Sequence, residues 1–298
     1  MRQVLFIALI ALVASSGAGR AFATPFEPAT VPDQVEAVGH LDVDALRKTQ
    51  LFATIGGQAA FDAAFDDAPA AVRPVVKSLA RTVRSVSFWK EADHGAVYVD
   101  TRDARGLAQL IAKLPVKPLP PIEGFPTYAL PDNKHTDKQG VCAAFGGMLV
   151  LSDSEASLER ALRVLGGKAA SLAGSSKLPA SVRQGVFVFV ALGDNALGAI
   201  QKHAHAKVLQ LGLRSVVVDV GEAGGQITAS ARAEMKSADA LQKARSILDG
   251  LRSLASLSDE PTARALIDGV TVTSSGLTLE VAARLPVAEL AKVIHMTH

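Results

Sequence analysis

The chain has 298 residues, 49% of them hydrophobic but only 5% aromatic, with 31 Lys and Arg against 29 Asp and Glu. Balanced charge, scattered basic residues and few aromatics exclude a phosphate-tracking or base-stacking surface, so no nucleic-acid partner is expected. A single cysteine, Cys142, excludes a disulfide framework.

The first residues read as a secretory signal peptide. Arg2 supplies a positive start, residues 4–13 form an unbroken apolar run, and Ala21-Phe22-Ala23 is a small-residue cleavage site. About ten apolar residues are too few to span a bilayer. The expectation is cleavage after Ala23, a periplasmic or secreted protein, and no membrane span once residues 1–23 are gone. Cleavage removes Arg2 and Arg20, leaving 29 basic against 29 acidic residues.

Residues 24–31 are Pro-containing and read as an extended leader. Residues 35–41 alternate as a strand, with His40 near its end, and Asp42-Val43-Asp44 suits the N-cap of a helix over 43–55. Phe61, Phe65 and Val72 suggest a helical hairpin over 59–80, broken near Pro69 and Pro74. Residues 83–101 carry period-two alternation on both sides of a short turn, a β-hairpin pattern. A helix over 104–114 follows.

Five prolines within residues 113–126 predict a stiff polyproline-like surface loop. A second hairpin is expected over 141–151, and Ser152 with Glu155 three residues on matches a capping box for a helix over 155–165. The small, polar residues 166–180 read as a linker.

The chain then repeats itself. Arg84, Gly147 and Glu159 match Arg214, Gly276 and Glu289 at offsets of 129 or 130 residues. A period that long indicates a duplicated half-domain rather than a solenoid. The second copy is expected to place a strand over 185–192, a helix over 195–211, a hairpin over 213–232, a helix over 238–257, a strand pair over 269–283 and a closing helix over 287–294. The first repeat spans 24–165 and the second 181–298.

No stretch carries a complete catalytic motif. Gly167-Lys168 lacks the remainder of a phosphate loop, and neither HExxH nor GxSxG occurs. Ser87 and Lys90 match SxxK, but in a strand they face opposite ways. His203 and His205 diverge on a helix, whereas His295 and His298 share a helical face without further ligands. Asp132, His135 and Asp137 read as a polar turn. Glu91 and Glu222 recur beside Gly95 and Gly225, which reads as a shared turn requirement. Cys142, inside an apolar run, reads as a core residue.

The expected class is α+β: two tandem similar halves, each an antiparallel sheet built from hairpins with helices packed on one face. With its early strand and the VDxxxL-like turn at Val43-Asp44-Ala45-Leu46, this plan is similar to exported bacterial proteins of unknown function of the DUF3352 type. The resemblance covers most of residues 24–298. It implies the fold and a periplasmic setting, but no catalytic residue, cofactor, metal or substrate. The expected function is a non-enzymatic binding or interaction module for an unknown protein or a small apolar ligand. A periplasmic hydrolase with dispersed residues is the alternative.

Overall fold

The structure is a computed structural model that describes residues 25–63, 65–66, 73–92, 94–130, 139–175, 178, 185–203, 212–257, 264 and 267–290. The chain is α+β, and it divides into two compact units, one ending at Ala180 and the other starting at Ser181.

In the first unit, strand β1 (Ala37–Asp42) runs into the short helix α1 (Val43–Leu46). Asp42 caps it as expected, its Oδ1 accepting from the Ala45 amide at 2.7 Å. Helices α2 (Gln50–Thr54), α3 (Gly57–Ala63) and α4 (Arg73–Thr82) follow, and then the hairpin β2 (Val83–Glu91) and β3 (His94–Thr101). The single helix expected over 43–55 is therefore two. Thr49 intervenes as an N-cap, its hydroxyl accepting from the Phe52 amide. Pro74 does not break a helix; it sits in the first turn of α4, where the missing N–H costs nothing.

Helix α5 (Ala104–Lys113) leads to β4 (Lys117–Ile122), β5 (Phe125–Ala129), β6 (Val141–Phe145), β7 (Met148–Ser152) and helix α6 (Glu155–Leu165). The strand order is β1-β2-β3-β7-β6-β5-β4, antiparallel throughout. Here the expected proline loop is corrected: KPLPPI is a strand. It is tolerated because β4 is the outermost strand, so prolines 118, 120 and 121 lose no interior ladder bond, and a register shift follows Leu119.

The capping box also shifts. Ser154, not Ser152, caps α6 by accepting from the Ser157 amide, while Ser152 ends β7 and donates to the Gly95 carbonyl at 2.8 Å. The segment read as a linker is partly tied down. Gly167, at φ 69, ends α6 in a left-handed conformation suited to glycine. Ser171 bridges Pro32, and Leu172 is fully buried.

Both faces of this sheet are buried, unlike the one-face packing expected. Leu107 and Ile111 of α5 pack with Cys142 and Leu149 on one face. Trp89, Tyr98, Val150 and Ala143 are buried on the other. Helix α6 covers that second face, its Arg160 Nη1 lying 2.5 Å from Glu91 Oε2.

In the second unit, β8 (Val186–Gly193) precedes helix α7 (Asp194–His203), the hairpin β9 (Leu213–Ala223) and β10 (Gln226–Met235), helix α8 (Ala238–Ser256), and the hairpin β11 (Val270–Ser275) and β12 (Thr278–Pro286). The order is β8-β9-β10-β12-β11, again antiparallel. Ser237 accepts from the Ala240 amide at the start of α8. Of the closing helix, residues 287–290 are described and helical.

A buried ion cluster fixes the first unit. Asp44 on α1 is 1% exposed, and its Oδ1 accepts from Arg47 Nη1 at 3.1 Å and from Arg102. Arg47 in turn donates to the Val83 carbonyl at 2.6 Å and the Ala80 carbonyl at 3.0 Å. Removing one partner from a buried ion pair strands the other charge. Arg47→Ala is expected to cost about 3–5 kcal/mol, read as a lowered urea midpoint, with the single Trp89 as fluorescent reporter.

Candidate functional site

Three of the sequence candidates, His40, Ser87 and Glu91, lie on the face of the first sheet that α6 covers. His40, Ser87 and Tyr98 are direct cross-strand neighbours on β1, β2 and β3. His40 Nδ1 and Ser87 Oγ share a hydrogen bond at 2.8 Å, and the Phe26 ring lies 5.8 Å from the imidazole. Trp89 Nε1 donates to the Tyr98 hydroxyl at 2.7 Å. Burial pushes the Tyr98 phenol well above its ordinary range, which keeps it protonated. A serine beside a histidine is the nucleophile–base arrangement. His40 is only 7% exposed, however, and a polar row inside a core serves first to satisfy its own groups.

Lys90 faces away from Ser87 on the same strand, as the alternation of a strand requires. Glu91 is held by Arg160, which also approaches Asp33 at 3.7 Å, so this acid anchors α6. The recurring glycines do different work. Gly225 turns its hairpin at φ 73. Gly95 lies in β3, where a Cβ would come within 2.8 Å of the Trp89 carbonyl, and the left-handed turn residue is Ala92 at φ 43. The shared-turn reading therefore holds for Gly225 and not for Gly95.

Cys142 is 1% exposed, and burial pushes its thiol up to about 11. His203 ends α7, while Asp132, His135, Asp137, His205, His295 and His298 lie outside the described residues. Among the described residues no three His, Cys, Asp or Glu side chains come together as a metal site.

The second sheet carries what sequence reading missed. One face presents Phe187, Phe189 and Val217 around Asp219, which accepts from Ser230 at 3.2 Å and Arg232 at 3.4 Å. The other face is apolar across the strands. Helix α8 covers part of it, packing Ala244 against Met235 and Leu279, with Leu241, Leu248 and Val272 alongside. One flank of α8 reaches the outer strand, where Arg245 Nη1 meets Ser274 Oγ at 3.1 Å. At 100° per residue, the opposite flank is Ile247 and Leu251, exposed by 38% and 56%. On the same sheet face, Val218 and Val220 of β9 and Val188 and Val190 of β8 are only half-buried, and helix α7 lies against these two strands. The apolar face thus carries a strip of half-buried valines on β8 and β9, and α8, which packs on the same face, exposes Ile247 and Leu251. The alternation of β8 and β9 was the signal available for it; how little α8 would cover was not.

This α+β architecture has solved counterparts. No family model matches the chain, and no curated protein matches it. The chain is similar to TP0453 in crystal form III (TM-score 0.55, 9% identity, 91% of this chain and 98% of that one) and crystal form IV (0.52, 12%, 94% and 99%). Crystal form I gives 0.50 at 9% identity, covering 91% and 97%. A likeness at this identity shows the fold alone. Among the described residues no helix is long and apolar enough to cross a membrane.

A thiol raised this far by burial is neither ionised at neutral pH nor reachable. Cys142 is expected to leave a disulfide reagent at pH 8 unreacted in the folded protein and to react stoichiometrically in urea, measured by thiolate release. Prompt reaction in the folded state contradicts its core placement.

Proposed function

We propose that this chain is an exported, non-enzymatic binding module whose second unit holds a small apolar ligand on the strip beside α8. One observation carries this reading. Val188, Val190, Val218 and Val220 form an apolar row across β8 and β9 that stays half-buried although α7 lies against these strands, and α8, on the same sheet face, exposes Ile247 and Leu251. Contiguous exposed apolar surface marks a binding site far more often than scattered single residues do. The signal-like residues 1–23 support export.

A tandem duplication supports the same reading, because it supplies two sheets of one plan that are then free to diverge. The orders β1-β2-β3-β7-β6 and β8-β9-β10-β12-β11 run parallel, and β7 and β12 begin 130 residues apart, at Met148 and Thr278. The first unit adds β4, β5 and the helices α2 to α4. Its sheet is buried on both faces, whereas the second leaves the strip.

A hydrolase is the alternative, favoured by the 2.8 Å contact of His40 with Ser87. Covalent labelling of Ser87 by a fluorophosphonate would support it, while a Ser87→Ala variant that retains ligand binding separates it from the binding reading.

Ile247→Asp combined with Leu251→Asp tests the strip directly. Both side chains are exposed already, so folding is expected to survive. Binding of the apolar dye Nile red, followed by fluorescence, is expected to weaken at least about tenfold. Unchanged dye affinity in the folded double variant contradicts the proposal.

A further inference from the structure

The outer strands of the two units are treated in opposite ways. On β4 three prolines at 118, 120 and 121 remove backbone donors, a common means of blocking edge pairing. The sequence of β11 is VTVTSS, with no proline, no charge and strong strand propensity. Among the described residues it is the last strand of its sheet, and four of its six residues are exposed.

Its outward-facing backbone groups, which pair with no strand among the described residues, can be placed. The Arg284 amide donates to the Gly269 carbonyl at 3.0 Å, so odd-numbered positions bond to β12. In an antiparallel pair the alternation then turns the amides and carbonyls of Val270, Val272 and Ser274 outward.

We propose that β11 pairs antiparallel with β11 of a second copy of this chain, about a two-fold axis at Val272. In that register Val272 faces Val272, Val270 faces Ser274 and Thr271 faces Thr273. Only outward-turned residues then meet as hydrogen-bonded pairs, which exchange about six hydrogen bonds. A two-fold seam sets each patch against itself, so a charge near its centre would face its own kind. This edge carries none. The valines join the apolar sides of the two sheets, and the threonines meet on the other side, where cross-strand Thr pairs are favourable. The closure is isologous, so it stops at a dimer rather than a fibre.

Sedimentation velocity over a concentration series, with reductant present, tests this. The wild-type chain is expected to show a reversible monomer–dimer equilibrium. Thr271→Lys with Thr273→Lys sets lysines opposite each other across the seam, and is expected to raise the dissociation midpoint about tenfold. Thr271→Glu with Thr273→Lys sets Glu against Lys and is expected to restore the dimer. Both positions are exposed, so unchanged thermal melting confirms that each variant folds. A wild-type chain monomeric at every concentration overturns the proposal, including the case in which an extended peptide fills the edge instead. A dimer indifferent to both variants overturns it as well.

Discussion

The buried carboxylate of Asp44 is the constraint on which the first unit depends. A carboxylate this far from water costs several kcal/mol unless it is paired and hydrogen-bonded. Arg47 and Arg102 supply that pairing, and Arg84 Nε stands 4.0 Å from its second oxygen. Arg47 is also buried, which lowers its proton affinity, with nearby Arg102 acting in the same direction. Its two carbonyl acceptors, Ala80 and Val83, are the end of α4 and the start of β2. One ion pair therefore joins α1, α4 and β2. Because α1 continues directly from β1, it also holds β1 in the register that brings His40 to Ser87.

Much of this was legible in the sequence. The hairpins at 83–101, 141–151 and 213–232, the Asp42 cap and the buried Cys142 follow from alternation, short acidic side chains and apolar context. What was not legible depended on tertiary position. A proline run reads as a loop until it is known to lie at a sheet edge, as Pro118 does on β4. Ser152 and Ser154 are equally good caps by chemistry; β7 claims Ser152 for a bond to Gly95, which leaves Ser154 for α6. The role of Glu91 was invisible because Arg160, its partner, is distant in sequence.

The two units bury their polar groups in the same way and their apolar faces differently. In the first, α5 and α6 bury opposite faces, and the polar row from His40 to Tyr98 is satisfied inside the core. In the second, the polar cluster around Asp219 is buried on one face, and the valines of β8 and β9 on the other face stay half-buried. Burial of apolar area is worth about 25 cal/mol per Å², so an incompletely covered valine row is a standing source of binding energy. This is the physical basis of the proposal that a ligand binds in the second unit, and that proposal requires no catalytic group.

Native mass spectrometry of the chain purified from cells that express it in full tests that claim most directly. The account predicts a folded species carrying an additional small apolar mass, released by solvent extraction and absent from the Ile247→Asp, Leu251→Asp variant. A bare wild-type chain that also fails to take up added apolar ligand would contradict it.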